Sequence, residues 1–161
     1  LLKDYIYTAK NMRNNIETEY LIFISSDGTK DAMDIFDERI KSNLWPIYDK
    51  TPQIINLKEG KKVIFYIAGN TKNSQHFIAS ATIDKIIKNS ESIIDPNQSL
   101  RLVKFYINFK NFLKFDKNVS VRENMDDLTF IKNKEKYGLY FQGGICKIDQ
   151  TSYSYILNKA L

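Results

Sequence analysis

The chain has 161 residues, a length suited to one domain, and its 43% hydrophobic and 27% charged content is that of a globular protein with a real core. One cysteine (Cys146) and one histidine (His76) exclude an intramolecular disulfide and a four-ligand structural zinc site. No apolar stretch reaches the roughly 18–20 residues of a membrane span, and the start lacks a secretory cleavage pattern, so a cytoplasmic protein with no membrane partner is expected.

Net charge is +5, and it is unevenly placed. Residues 101–147 hold ten Lys or Arg against five Asp or Glu, while the remaining residues hold fourteen of each. Basic excess confined to one region suits an acidic partner such as a nucleic-acid backbone, although a lysine-rich solvated surface gives the same count.

Leu2, Tyr5, Ile6, Ala9, Met12 and Ile16 recur at helical spacing and predict a helix over residues 2–16. Tyr20 to Ser25 (YLIFIS) reads as a buried strand closed by the turn Ser26-Asp27-Gly28. Asp31 can cap a helix whose inner face would be Met33, Phe36 and Ile40. Pro46 stops any helix, which places Trp45 in a loop at a helix end. Val63–Ala68 (VIFYIA) and Phe77–Ile83 predict paired strands, the second with Phe77, Ala79, Ala81 and Ile83 on one side. Val103 to Lys110 alternates cleanly and predicts a half-buried strand with Lys104 and Lys110 outward. A helical turn over 121–127, a short strand or loop and then another strand over 128–141 follow. The last element is a helix capped by Asp149, with Tyr153, Ile156, Leu157 and Leu161 inward. Five or six strands that follow one another, with three helices, predict an α+β fold with a curved, mostly antiparallel sheet or small barrel and helices packed outside.

Catalytic constellations are sparse. His76 is the single imidazole available as a base and reads as a strand-edge residue. Glu59-Gly60-Lys61 with Asp49 resembles a metal-nuclease pattern only loosely, and its glycine puts it at a solvent corner. No phosphate-binding glycine loop is present. The expectation is a binding domain with no catalytic residue, no metal and no cofactor. A lone Trp is more often core than site. Trp45, beside a proline and followed by Tyr48, is the candidate wall for stacking a flat ligand. Phe130-Ile131-Lys132-Asn133-Lys134 sets basic and amide donors beside apolar groups.

Three segments together resemble the EVE domain family, a branch of the PUA-like fold related to YTH domains. They are YLIFISS (20–26), then Asn43-Leu44-Trp45 with LKEGKKVIFYIAG (57–69) and HFIASATI (76–83), and finally LTFIKNKEKYGLYFQGG with ICKIDQTSYSYI (128–156). Leu21 and Tyr137 stand where the family often has Trp. The resemblance implies a PUA-like curved, mostly antiparallel β-barrel with flanking helices over residues 19–161. Residues 1–18 would then be an N-terminal helical extension or linker. It also implies a reader domain whose aromatic pocket holds a flipped, modified base of DNA or RNA. Such domains serve modification-dependent restriction systems, with a nuclease or motor domain fused or partnered. By position, the pocket would be Trp45, Ser25, Ser26, Tyr48, Tyr66, Phe130, Asn133 and Tyr140. Lys132, Lys134, Lys136, Lys104 and Lys110 would meet the backbone. The alternative is a module for a small planar metabolite with no nucleic-acid partner.

Overall fold

The first strand, β1 (Tyr20–Ser25), is buried along its whole length. An uninterrupted apolar run needs that, because both of its faces must be covered. The computed structural model describes residues 20–91, 93–98 and 101–161. The helix predicted over 2–16, and the extension predicted over 1–18, lie outside them. The remaining elements are α1 (Ala32–Ser42), β2 (Trp45–Tyr48), β3 (Lys62–Ile67), β4 (His76–Lys88), β5 (Val103–Ser120), β6 (Ile145–Lys147) and α2 (Gln150–Ala160), with single 3-10 turns between some of them.

The six strands form one sheet in the order β2-β5-β4-β3-β1-β6. β1 and β3 run parallel, and every other pairing is antiparallel. The sheet curls into a half-barrel flanked by two helices, an α+β fold. Alternation along the strands divides the core in two. Tyr20, Ile22, Ile24, Ile64, Tyr66 and Phe77 pack with Tyr153, Ile156 and Ala160 of α2. Leu21, Phe23, Val63, Phe65 and Ile67 pack on the other face with Ala32 and Phe36 of α1.

Both helices begin as their caps dictate. Asp31 accepts from the Asp34 N–H at 2.9 Å, and Asp149 accepts from the Ser152 N–H at 2.8 Å. Asn43 in the left-handed region (φ 52°) closes α1. The inner face of α1 is Ala32, Ile35, Phe36 and Arg39, so Met33 and Ile40 flank the contact rather than centre it. Leu161, expected inward, is 59% exposed, and Ala160 takes the inner position.

Three expectations need correction. Trp45 is not in a loop: it opens β2, and Pro46 is tolerated because β2 is an edge strand. The alternation read across Phe77–Ile83 breaks at a register shift between Phe77 and Ala79, which puts Phe77 in one core and Ile78, Ala79, Ala81 and Ile83 in the other. Residues 128–141 contain no strand; they are turns and a 3-10 segment, Tyr137–Phe141. β5 also runs ten residues past Lys110, to Ser120. Asn111 at φ 54° lies between Phe109 in one core and Phe115 in the other. That is the geometry of a bulge that re-aims a strand.

Candidate nucleic-acid interface

A half-barrel leaves a seam between its edge strands, here β2 and β6. The turn after β2 and the turn before β6 meet across it. A Cβ on Gly143 would overlap the Pro52 ring, so only glycine permits this approach. Beside that contact lies a cleft of about 480 Å³, lined by Tyr48, Asp49, Thr51, Arg101, Gln142 and Gly143 among others. Its size falls in the range of small-ligand pockets.

Tyr48 supplies the aromatic face. The Arg101 guanidinium sits 5.5 Å over its ring. A cation already lies over the face where a planar guest would sit. The ring is held from behind. The Tyr48 hydroxyl bonds Asp95 and accepts from Arg39 Nη2 at 3.1 Å, and Arg39 pairs with Asp95 at 3.5 Å. Both charged side chains are nearly out of solvent, at 9% and 8% exposure. Burial pushes the Tyr48 phenol well above its usual pKa, the Arg39 charge opposes this, and the Asp95 carboxylate reinforces it. Thr51 Oγ1 accepts from the Tyr48 N–H at 3.1 Å, which leaves its own proton free to donate into the cleft.

Trp45 stands one layer deeper. Its side chain is packed among Phe23, Phe36, Phe65 and Phe109 at centroid distances of 5.2–6.2 Å, and the residue is 2% exposed. It presents no open face to a ligand. The Arg39 guanidinium lies 4.8 Å over its ring, so Trp45 supports Arg39, which in turn supports Tyr48.

The other expected pocket residues do not share this site. Tyr66 is on the opposite face of the sheet from Trp45, stacked on Phe141 at 4.0 Å. Above Phe141, Phe130 meets Tyr140 edge-on at 6.1 Å. The Tyr140 hydroxyl accepts from the backbone N–H groups of Lys132 and Asn133. Asn133 Oδ1 accepts from the Lys136 N–H, so its carbonyl end closes a turn. Ser25 is fully buried, with its hydroxyl donating to the Ala32 carbonyl at 2.6 Å. Ser26 offers a carbonyl that Gln98 occupies at 3.2 Å. One pocket built from all eight residues is therefore not what the structure holds. Phe130, Asn133 and Tyr140 gather in one loop over Tyr66, while Tyr48 alone lines the seam.

No protein-family model matches the sequence, and no curated protein sequence does either. Solved structures do. Rpa0253 from Rhodopseudomonas palustris superposes with a TM-score of 0.56 at 10% identity, covering 88% of this chain and 92% of that one. Human THYN1, solved in complex with 5-methylcytosine-containing DNA, gives 0.55 at 9%, covering 88% and 96%. The YTH domain-containing protein mmi1, solved with RNA, gives 0.54 at 14%, covering 91% and 85%. The chain shares its fold, a PUA-like curled sheet, with these proteins.

On this PUA-like domain the five lysines expected at a nucleic-acid backbone are all exposed. Three are already near carboxylates: Lys134 with Asp126 at 2.9 Å, and Lys104 with Asp49 and Lys110 with Asp84 at 3.9 Å. Such surface pairs are worth well under about 1 kcal/mol and yield readily to phosphate. Glu59 sits exposed in a turn. Among the described residues no group of three or more His, Cys, Asp or Glu is placed to hold a metal, and no helix is long and apolar enough to cross a membrane. The sequence reading missed Arg39, Asp95, Arg101, Gln142 and Gly143. Only Gly143-Gly144 carried a visible signal, a glycine pair ahead of a strand.

Proposed function

We propose that this chain is a nucleic-acid-binding reader domain that holds one planar base at the β2–β6 seam. The observation that carries the reading is the cleft of about 480 Å³, walled by a Tyr48 ring whose orientation is locked by Arg39 and Asp95. It is supported by a fold shared with one protein solved with 5-methylcytosine-containing DNA and another solved with RNA. In this reading an extruded base stacks against Tyr48, sharing that face with or displacing Arg101. Asp49, Lys50, Thr51 and Gln142 supply donors and acceptors to its edge. Trp45 acts as a positioning residue beneath. The lysines at 104, 110, 132, 134 and 136 meet phosphates. The loop carrying Phe130, Asn133 and Tyr140 forms a second contact on the other face. The base is modified, the domain does no chemistry itself, and it serves as the recognition module of a modification-dependent restriction system beside a nuclease or motor domain.

Base stacking on an aromatic side chain is worth about 1–3 kcal/mol by alanine substitution. Wild type and Tyr48→Leu should be titrated with modified and unmodified oligonucleotides. Wild type is expected to prefer a modified strand, with Tyr48→Leu losing roughly tenfold or more of that affinity. Equal, weak binding of every oligonucleotide by both proteins would remove the reading. A cleft of this volume also suits a free planar ligand. A melting shift with small planar compounds and none with oligonucleotides would favour that alternative.

A further inference from the structure

A second cavity, of about 240 Å³, shares no lining residue with the seam cleft. It opens where β3 hands over to β4 and where β5 ends. Arg122, Lys72, His76, Gln75, Thr71 and Ser120 lie in its wall, and no carboxylate does. The seam cleft, in contrast, carries Asp49. Two positive charges with no acid in the same wall make a local field that selects anions.

The arginine is pre-set. Arg122 Nε donates to Gln75 Oε1 at 2.9 Å and to the Tyr137 hydroxyl at 2.9 Å, and that hydroxyl donates to the same Gln75 oxygen at 2.6 Å. Gln75 is itself anchored. Its backbone is in the left-handed region (φ 61°), its N–H donates to the Ile67 carbonyl, and its carbonyl accepts from the Val121 N–H. Its side-chain amide donates to the Gly69 carbonyl. With Nε spent, the paired terminal nitrogens are the part of the guanidinium left for a ligand, and they form the fork that grips two oxygens at once.

The neighbours differ in what they add. His76 Nδ1 lies 2.6 Å from the Ser74 carbonyl and must donate to it, so Nε2 of the neutral ring is an acceptor and His76 lines the wall without giving an anion a proton. Ser120 Oγ accepts from the Glu123 N–H, so its hydroxyl proton remains to be given. Donors converging from several sides suit a tetrahedral oxyanion better than a flat carboxylate.

We propose that this cavity binds a phosphate group, with Arg122 as the bidentate ligand and Lys72 as the second charge. The phosphate belongs either to a nucleic-acid strand or to a free phosphomonoester.

The test uses the whole chain, with Arg122→Ala, Arg122→Lys and Lys72→Ala. Both sites are exposed, and a melting curve checks that each variant folds. One arm follows amide shifts of Gln75, His76 and Arg122 in an NMR titration with inorganic phosphate. The other measures the salt dependence of binding to an unmodified oligonucleotide. Arg122→Ala should weaken inorganic phosphate roughly tenfold, with Arg122→Lys in between. If the source is a strand, oligonucleotide affinity falls too, and the slope of log affinity against log salt drops by about one. Loss of the phosphate response with unchanged oligonucleotide affinity supports the site with a free phosphomonoester as its ligand. Unchanged shifts and an unchanged slope in Arg122→Ala and Lys72→Ala overturn the proposal. The modified-base preference of wild type, read beside the Arg122→Ala phosphate response, keeps the two readings apart. If wild type shows no preference for a modified base yet loses phosphate in Arg122→Ala, the function proposed above fails and this site stands.

Discussion

Replacing Trp45 tests whether its ring walls a ligand or belongs to the core. A stacking wall must be open; the structure puts this side chain against four phenylalanines and under the Arg39 guanidinium. Truncating a buried aromatic to Ala costs about 3–5 kcal/mol. Lost edge-on partners and the lost cation contact put Trp45→Ala in the upper half of that range. Small domains are stable by about 5–15 kcal/mol, so this variant stands near its unfolding threshold, and any binding it loses is ambiguous. Trp45→Phe is the clean probe. It keeps the aromatic contacts, should cost about 1–2 kcal/mol, and should bind oligonucleotides within roughly threefold of wild type. Urea denaturation followed by circular dichroism reads the stabilities. Because Trp45 is the sole tryptophan, its fluorescence should be shielded from iodide in the folded chain and quenched only on unfolding. Free quenching in the native state would refute the argument. So would a Trp45→Ala penalty under about 1 kcal/mol accompanied by complete loss of binding.

Four further outcomes follow from named contacts. Asp95→Ala leaves the Arg39 charge buried with only the Tyr48 hydroxyl and the Trp45 ring for company, and urea unfolding should show a loss of about 3 kcal/mol. Gly143→Val must push Pro52 away; it should widen the seam and lower the melting temperature, whereas the same change at Gly138, where an added Cβ meets nothing within 4 Å, should cost little. Burial raises the phenol pKa of both Tyr48 and Tyr66, so the folded state holds both protons longer than the unfolded chain. Stability is then fully present below about pH 10 and falls as pH rises above it, by up to about 1.4 kcal/mol per pH unit for each group, and Tyr66→Phe should flatten part of that slope in alkaline unfolding curves. Burial also pushes the Cys146 thiol up to about 12, so iodoacetamide at pH 8 should label it far more slowly in the native chain than in urea.

What the sequence made legible was local. β1 and β3 announce themselves as unbroken apolar runs, and Asp31 and Asp149 mark two helix starts within one turn of the residues they cap. What it hid depended on distant partners. The spacing of Ala32, Ile35, Phe36 and Arg39 puts Arg39 on the inner face of α1, but a charged residue is not expected there; its burial makes sense only with Asp95, 56 residues away, to neutralise it. β5 lost its signal after Lys110 because Asn111 re-aims the strand, so Phe109 and Phe115 serve opposite cores and no single alternation spans them. The candidate pocket failed for the same reason. Phe65 and Tyr66 are adjacent in β3, yet one packs against Trp45 and the other against Phe141, and a linear match of motifs cannot tell which face a residue serves.

The seam follows from the topology. β2 and β6 are both short, at four and three residues, and they lie at the two ends of the sheet order. Short edges expose few unpaired backbone groups and resist unwanted pairing. They also leave the half-barrel unclosed, so the turns beyond them must meet by side-chain contact rather than by a hydrogen-bond ladder. Pro52 against Gly143 is that contact, and it sets the cleft's width without filling it. Tyr48 ends β2 on one side of the opening, and Gln142 precedes β6 on the other. A guest there is held by groups from both edges of the sheet, so binding should tie the two edges together. Hydrogen exchange at Tyr48–Thr51 and Gly143–Lys147 should slow together when the cleft is filled. Protection of one edge alone would show that the guest sits on an edge strand and not in the seam.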